Sequence, residues 1–227
     1  TCERDTLCQR QFPQLREQWH ALLRALPQEV MLQHPVTLQD EKLTLTRDMV
    51  TGMARMPLYA PALAAALPLA VSEASRGRFA PLAGLSSALG SGGGRATSMA
   101  QGMHFSVICA EDMPRLEQAT DRPGADFGTA YLDMYRKACA EWPRGSVPAE
   151  FYQVPATPVP TLVLSGGIDP VTPPRHGERV SKALGAKARH VVVPNAGHGV
   201  MALGCMRDVL FRFVDADICT AELGPLF

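Results

Sequence analysis

Apolar residues recur at every third or fourth position through the first two thirds of the chain. The spacing is clearest near the start, at Phe12, Leu15, Trp19, Leu22, Leu23 and Leu26. It places the apolar side chains on one face of a helix, and runs of β-branched residues, which are typical of strands, are nearly absent. Pro27, Pro35 and several glycines interrupt the pattern. Residues 1–154 are therefore predicted to form several short helices.

The pattern changes after a proline-rich segment. Residues 161–165 form a short apolar run that ends at two glycines, and residues 189–194 form a second such run. Both runs are typical of buried strands. Between them, residues 175–184 have the spacing of a helix. The pattern predicts a strand–helix–strand unit with parallel strands and a right-handed crossover, followed by a final helix over residues 205–214.

Two parallel strands cannot by themselves bury both faces of a sheet, so this unit is expected at the edge of a larger sheet. No other run in the sequence is typical of the missing strands. The fold class predicted for residues 155–227 is therefore α/β, with a sheet that is incomplete without strands from an upstream segment. Residues 1–154 are predicted to form a separate, mainly helical domain.

The charge balance excludes two kinds of partner. The chain has 227 residues, of which 46% are hydrophobic, and 22 Lys and Arg residues balance 22 Asp and Glu residues. Without net charge or a basic cluster, the chain lacks the positive surface that nucleic acids and anionic membranes attract. Its most apolar stretch, residues 58–71, has 14 residues and two prolines, whereas a membrane-spanning helix needs about 20 apolar residues. We expect a water-soluble protein with no nucleic acid or membrane partner.

Six cysteines fall as three pairs of neighbours: Cys2 with Cys8, Cys109 with Cys139, and Cys205 with Cys219. None of the spacings is a CxxC, which disfavours a zinc site or a redox dithiol. The sequence does not choose among the possible pairings, and six free thiols in a cytosolic protein are the alternative. We favour three local disulfides, which predict a periplasmic or extracellular compartment. Since the chain begins at Thr1 without an export leader, such a leader is expected to lie upstream or to have been removed.

Each predicted strand is followed by a residue with catalytic chemistry. Asp169 follows the first strand, in Gly-Gly-Ile-Asp-Pro, and His198 follows the second, in Asn-Ala-Gly-His-Gly. The carboxyl ends of parallel strands meet at one edge of a sheet, where ligands and catalytic groups gather. A carboxylate that binds one imidazole nitrogen orients the ring and leaves the other nitrogen to take a proton from a nucleophile. We interpret the two residues as such a pair; the alternative is a turn-capping aspartate and an ordinary loop histidine.

These segments resemble a known family. Residues 160–214, with Ser-Gly-Gly-Ile-Asp-Pro-Val-Thr-Pro-Pro and Asn-Ala-Gly-His-Gly, resemble the carboxyl-terminal region of the tripeptidyl-aminopeptidase-like, proline-iminopeptidase-related branch of the α/β-hydrolases. Residues 2–13 and 102–112, the latter ending in Cys-Ala-Glu-Asp, resemble the helical cap that this family inserts before its catalytic acid. The resemblance implies that residues 1–154 are a cap, or lid, and that residues 155–227 are the carboxyl-terminal part of the hydrolase core.

The same resemblance implies the chemistry. Asp169 and His198 correspond to the acid and base of a Ser-His-Asp triad, in a secreted or periplasmic aminopeptidase that cleaves short peptides from a free amino terminus. An esterase or amide hydrolase of the same fold, and a non-catalytic disulfide-bonded binding module of hydrolase ancestry, are the alternatives. Peptides or small acyl compounds are the expected substrates. No metal or organic cofactor is implied, because the sequence contains neither a ligand cluster nor a dinucleotide fingerprint.

One part of the family's pattern is absent from this sequence. The nucleophilic serine of α/β-hydrolases lies in Gly-x-Ser-x-Gly, and no serine here has that setting, including Ser86, Ser91 and Ser165. The segment that would form the oxyanion hole is missing too. We therefore expect the nucleophile in an upstream hydrolase segment, which is the predicted partner of this chain, and we expect the chain alone to be inactive.

Glu111 is the candidate for substrate binding. Caps of the proline-iminopeptidase type commonly bind the free α-amino group of a substrate with carboxylates, and Glu111 could do so if a disulfide between Cys109 and Cys139 fixed its segment. Such an ion pair would select for cleavage at the amino terminus. The alternative is a solvated acid, or one at a helix amino terminus, beside Asp112 and Pro114.

Overall fold

The computed structural model describes residues 2–33, 37–91, 100–119 and 126–215. The chain divides into two compact units. The first unit comprises Thr1–Ala54 and Ala70–Phe151, and the second comprises Arg55–Leu69 and Tyr152–Phe227. Residues 55–69 therefore group with the second unit, although the sequence pattern places them within the helical domain.

α-Helices account for most of the amino-terminal part. They are α1 (Thr6–Gln11), α2 (Leu15–Arg24), α3 (Arg47–Arg55), α4 (Pro61–Ala74), α5 (Ala80–Ser91), α6 (Gln101–Val107) and α7 (Ala130–Glu141). Shorter turns are 3₁₀-helical at Cys2–Arg4, Met56–Tyr59, Met113–Gln118 and Ala149–Tyr152, and π-helical at Ile108–Asp112. Asp5 caps the amino terminus of α1, because its Oδ1 accepts hydrogen bonds from the N–H groups of Leu7 (3.1 Å) and Cys8 (2.8 Å). None of the helices within the described ranges has the length and apolar character needed to span a membrane.

The first unit also contains a β-hairpin that the apolar spacing did not predict. β1 (Gln28–Gln33) pairs antiparallel with β2 (Asp40–Leu45). The prediction of helices is therefore wrong for these residues, but the hairpin supplies none of the strands expected to complete the parallel sheet. It is a two-stranded sheet of its own, separate from the parallel strands described below.

Alternation rather than composition explains this hairpin. Val30 lies directly opposite Leu43, and Leu32 and Leu45 lie on the same face of the hairpin as this pair. Leu32 is 8% exposed and Leu45 is 0% exposed, whereas Met31 between Val30 and Leu32 is 63% exposed. Burial of one face thus outweighs the low strand propensity of the polar residues between these positions.

The first unit closes a core of its own. Leu45, Val50, Phe79 and Leu82 are each at most 1% exposed. They come from β2, α3, the residue before α5, and α5, so separate elements contribute to the buried interior. Packing of this kind supplies most of the favourable free energy of folding.

Two of the three predicted disulfides are present. The bonded pairs are Cys2 with Cys8, which are 6 residues apart, and Cys109 with Cys139, which are 30 residues apart. Cys205 is exposed and forms no disulfide within the described part of the chain. Its predicted partner, Cys219, lies outside the described residues.

The second unit contains the predicted strand–helix–strand arrangement. Its elements are β3 (Thr161–Gly166), α8 (Pro174–Leu184), β4 (Ala188–Val193) and a final helix, α9 (Met206–Asp215). β3 and β4 are parallel, with Gly166 opposite Val193. α8 follows Pro173 and ends at Leu184, before Gly185, whose φ of +95° favours glycine.

Within the described residues the parallel sheet has two strands. Its apolar side chains are only partly covered. The side chains of Leu162, Val163 and Leu164 on β3 are half-buried, and Val192 on β4 is 40% exposed. Parallel strands in α/β proteins are normally buried on both faces. Apolar strand surface therefore remains that the described residues do not cover.

Candidate active site

Asp169 lies in the turn that follows β3, and its carboxylate holds that turn together. Oδ1 accepts hydrogen bonds from the backbone N–H groups of Val171 (2.8 Å) and Thr172 (3.0 Å). Oδ2 accepts one from the Thr172 hydroxyl (2.9 Å). The residue is 7% exposed. Asp169 therefore caps a turn, as the alternative interpretation of the sequence has it, and the cap fixes the orientation of its carboxylate.

These contacts favour the ionised form of Asp169. Burial raises the pKa of the carboxyl, but hydrogen bonds from the backbone of Thr172 and Val171, from His198 and from the Thr172 hydroxyl together lower that pKa below its ordinary value. An ionised carboxylate can only accept hydrogen bonds. Asp169 is therefore a fixed acceptor at neutral pH.

His198 lies in the loop after β4 and contacts this carboxylate. Its Nδ1 is 3.0 Å from Oδ2 and 3.2 Å from Oδ1 of Asp169. Because Asp169 only accepts, Nδ1 carries a proton, and in the neutral imidazole Nε2 then keeps a lone pair. The side chain of Asp169 is 3% exposed, and that of His198 is 43% exposed. The structure thus brings the two residues together, with the carboxylate inside and the imidazole accessible to a reactant.

Glycine at the end of β3 allows this contact. A Cβ atom on Gly166 would lie 1.9 Å from the carbonyl oxygen of Gly197 and 2.6 Å from that of Ala196. Any side chain at this position would therefore collide with the backbone that precedes His198. The same loops are joined by a hydrogen bond from the N–H of Ile168 to the carbonyl of Ala196 (3.0 Å).

Residues 56–59, which belong to the same unit, also contact the histidine loop. The N–H of His198 donates to the carbonyl of Tyr59 at 3.1 Å. The imidazole and the phenol ring have centroids 5.5 Å apart and planes at 73°. Sequence reasoning missed this contact. The available signal was Gly197, since a glycine beside a candidate catalytic residue often marks a close approach of backbone.

Nε2 of His198 has no hydrogen-bond partner among the described residues. No serine hydroxyl within those ranges bonds to it, and Ser86 lies on α5 of the first unit. The geometry therefore supplies an acid and a base, and it does not identify a nucleophile in the described part of the chain.

A contact between Ser165 and His190 in the second unit is structural. Oγ of Ser165 lies 2.9 Å from Nε2 of His190. A Cβ atom on Gly177 of α8 would lie 2.6 Å from both atoms, so the helix backbone passes directly over the pair. Ser165 is 7% exposed. The contact satisfies a buried hydroxyl between sheet and helix, and it leaves no room for a substrate.

Glu111 lies in the π-helical turn of the first unit and is half-buried. The disulfide between Cys109 and Cys139 attaches this turn to α7. A hydrogen bond of 2.7 Å between Nε2 of His104 on α6 and the hydroxyl of Tyr135 on α7 adds a second attachment. π-Helical turns occur frequently at functional sites. The segment of Glu111 is therefore fixed, which the predicted role requires, and the role itself stays a prediction.

Comparison of the sequence with known protein families gives a match that includes the residues of this site. A family model described as TAP-like protein matches residues 124–216. This range contains both Asp169 and His198, whereas Glu111 lies outside it. Searches of curated proteins and of solved structures return no significant match to the chain.

Proposed function

We propose that this chain, of which residues 124–216 match the TAP-like protein family model, supplies the acid and the base of an exported serine aminopeptidase. The proposal is carried by the 3.0 Å contact between Oδ2 of Asp169 and Nδ1 of His198, whose side chain is 43% exposed. The substrate is a short peptide with a free amino terminus.

In the proposed reaction, His198 transfers protons and Asp169 orients His198. As a serine hydroxyl attacks the scissile carbonyl, Nε2 takes the hydroxyl proton while the bond between Oγ and the carbonyl carbon forms. The imidazolium then gives this proton to the leaving amine as the C–N bond breaks. Water hydrolyses the acyl-enzyme by the same route. The lowered pKa of Asp169 keeps its carboxylate ionised, so that it stabilises the imidazolium.

The serine of this reaction lies, in our proposal, on an upstream segment of the same hydrolase. The sequence contains no serine in Gly-x-Ser-x-Gly. The half-buried apolar residues of β3 and the exposed Val192 of β4 are a second support. A segment that adds parallel strands to this sheet would cover these side chains and would place its serine at the edge where Asp169 and His198 lie.

Glu111 is the proposed contact for the substrate's α-amino group. Its carboxylate would form an ion pair with the ammonium of the first residue, and this pair would favour cleavage near the amino terminus over cleavage within a long chain. Support comes from the fixed π-helical turn that carries it. The two disulfides also support an oxidising compartment, periplasmic or extracellular, for the enzyme.

Labelling with a fluorophosphonate tests the proposal. A longer polypeptide that includes the segment encoded upstream is expected to react at one serine and to hydrolyse short peptide amides. The His198→Ala variant of this polypeptide is expected to lose both activities. His20→Ala is the matched control, because that imidazole is 42% exposed and belongs to the first unit. Absence of labelling in the wild-type polypeptide would favour the non-catalytic binding module.

Glu111→Gln tests the substrate class separately. The variant is expected to raise KM for peptides with a free amino terminus about tenfold, since a charge-assisted contact is lost, and to leave KM for blocked esters unchanged. Asp112→Asn, at the exposed neighbouring position, is the control. Equal effects of Glu111→Gln on both substrates would remove Glu111 from substrate binding and favour an esterase or amide hydrolase.

A further inference from the structure

We propose that Tyr59 is a positioning residue for His198, through contacts separate from those that Asp169 supplies. The inference rests on the proposed function, because positioning matters only if His198 transfers protons. Tyr59 lies in the turn between α3 and α4 and belongs to the second unit. Tyr59 contacts both the backbone and the ring of His198.

The turn that carries Tyr59 is restrained by a hydrogen bond of its own and by a buried proline. Met56–Tyr59 form a 3₁₀ turn, and the N–H of Ala60 donates to the carbonyl of Pro57 at 3.2 Å. Pro57 is fully buried, and its ring restricts the backbone dihedral of the turn. The turn therefore holds the carbonyl of Tyr59 at a fixed position.

That carbonyl holds the backbone of the histidine loop. It accepts the hydrogen bond from the N–H of His198 at 3.1 Å. A Cβ atom on Gly197 would lie 2.4 Å from the carbonyl oxygen of Tyr59 and 2.6 Å from that of Leu58. The loop thus approaches the turn more closely than any residue with a side chain could. This approach explains why glycine directly precedes the candidate base.

The ring of Tyr59 restricts the imidazole itself. A hydrogen bond at Nδ1 fixes one atom of the His198 ring but still allows the ring to tilt, and the side chain is 43% exposed. Tyr59 adds an edge contact with ring centroids 5.5 Å apart. The guanidinium carbon of Arg55 lies 5.8 Å from the centroid of the Tyr59 ring and packs on it in turn. Two restraints on the imidazole aim Nε2 in one direction, which proton transfer to a serine requires.

Nuclear magnetic resonance of the 227-residue chain tests this role, and the measurement does not require the nucleophile. In Tyr59→Leu, which removes the ring and keeps the carbonyl, the imidazole signals of His198 are expected to shift and broaden. In Tyr59→Phe, which keeps the ring, they are expected to stay close to those of the wild type. His198→Gln assigns the signals. If Tyr59→Leu fails to fold, Tyr59→Met fills the space without an aromatic ring and replaces it.

Kinetics of the polypeptide with its upstream segment give the second readout. Tyr59→Leu is expected to lower kcat about two- to tenfold, the range that one aromatic contact provides, with KM unchanged, and Tyr59→Phe is expected to restore kcat. Unchanged His198 signals in Tyr59→Leu, or equal losses in the Leu and Phe variants, would overturn the proposal. Absence of hydrolase activity in the wild type would instead overturn the proposed function, so the two failures are distinguishable.

Discussion

The first and second units bury their apolar residues to different degrees. In the first unit, Leu45 and Leu82 are fully buried. In the second unit, Met206 and Val209 of α9 are each 2% exposed, but the apolar residues 162–164 of β3 are only half-buried. Nevertheless, it is the second unit that holds Asp169 and His198 at 3.0 Å. The acid–base pair is therefore formed in the unit whose sheet is only partly covered by the described residues.

This difference indicates what the acid–base pair depends on. The carboxylate of Asp169 is fixed by its own turn, and the loop of His198 is fixed by Gly166 and by the carbonyl of Tyr59, all within the second unit. None of these contacts requires further strands in the sheet. We therefore expect the geometry of the pair to persist in the chain alone, whereas we expect activity only when a nucleophile is added.

Asp169→Asn is expected to have the largest effect. An asparagine amide donates as well as accepts, so it no longer holds His198 with the proton on Nδ1. The kcat of the polypeptide with its upstream segment should fall about 10³- to 10⁴-fold, with little change in KM, as steady-state kinetics on a peptide amide would measure. Asp208→Asn, an exposed acid of α9, is the control. A fall smaller than about tenfold would contradict the assignment of Asp169 as the orienting acid.

Loss of the disulfide between Cys109 and Cys139 is expected to weaken the first unit. This bond closes 30 residues of chain, and its removal should lower the free energy of unfolding of that unit by about 3–4 kcal/mol on the chain-entropy relation. The variant replaces both cysteines by alanine. His198 signals in the second unit are expected to remain in place.

Tryptophan fluorescence measures this effect selectively, because the chain has two tryptophans, Trp19 and Trp142, and both belong to the first unit. The matched control replaces Cys2 and Cys8, whose bond closes 6 residues and should contribute about 2 kcal/mol. A larger loss from the short loop than from the long one would contradict the expectation.

Gly166→Ala is expected to disturb the second unit and spare the first. The new Cβ would lie 1.9 Å from the carbonyl oxygen of Gly197, so backbone must move, at a cost of about 3 kcal/mol. His198 signals should shift or disappear while the unfolding transition seen by tryptophan fluorescence stays in place. Gly199→Ala is the control in the same loop, since nothing lies within 4 Å of its added Cβ. If fluorescence and imidazole signals change together, the two units unfold as one.

The sequence was sufficient to predict the parts of the second unit that are local. The apolar runs of β3 and β4 are evident in the sequence itself. Because the carboxyl ends of parallel strands meet at one edge of the sheet, Asp169 and His198 are expected to lie together. The hairpin was missed because its few apolar residues alternate with polar ones. The burial of Leu32 and Leu45 in the folded chain shows that they share one face. Local patterns are thus enough where a strand contains a continuous apolar run.

Contacts between distant segments could not be predicted in this way. Nothing in the composition of residues 56–59 indicates that Tyr59 packs on His198. Gly197 indicated that some backbone approaches the loop, but a glycine does not specify which backbone. The partner is set by how the turn after α3 folds back within the second unit, which depends on the whole of that unit.

The smallest effect is expected from Thr172→Val. The threonine hydroxyl donates to Oδ2 of Asp169 at 2.9 Å, and valine has the same shape without a donor. The backbone N–H groups of Val171 and of residue 172 remain, so the pKa of Asp169 should rise only part of the way towards its ordinary value. A carboxyl with a lowered pKa stabilises the folded state above the ordinary value of about 4 and loses this contribution as the pH falls through the folded pKa.

In Thr172→Val this loss should therefore occur at a higher pH than in the wild type, with a deficit at neutral pH of about 1 kcal/mol in the free energy of unfolding of the second unit. Titration of the Asp169 carboxyl carbon by nuclear magnetic resonance measures the shift directly. Thr172→Ser keeps the hydroxyl and should keep the pKa low. If all three proteins titrate alike, the backbone donors alone hold the carboxylate, and the turn rather than the threonine side chain orients the acid towards His198.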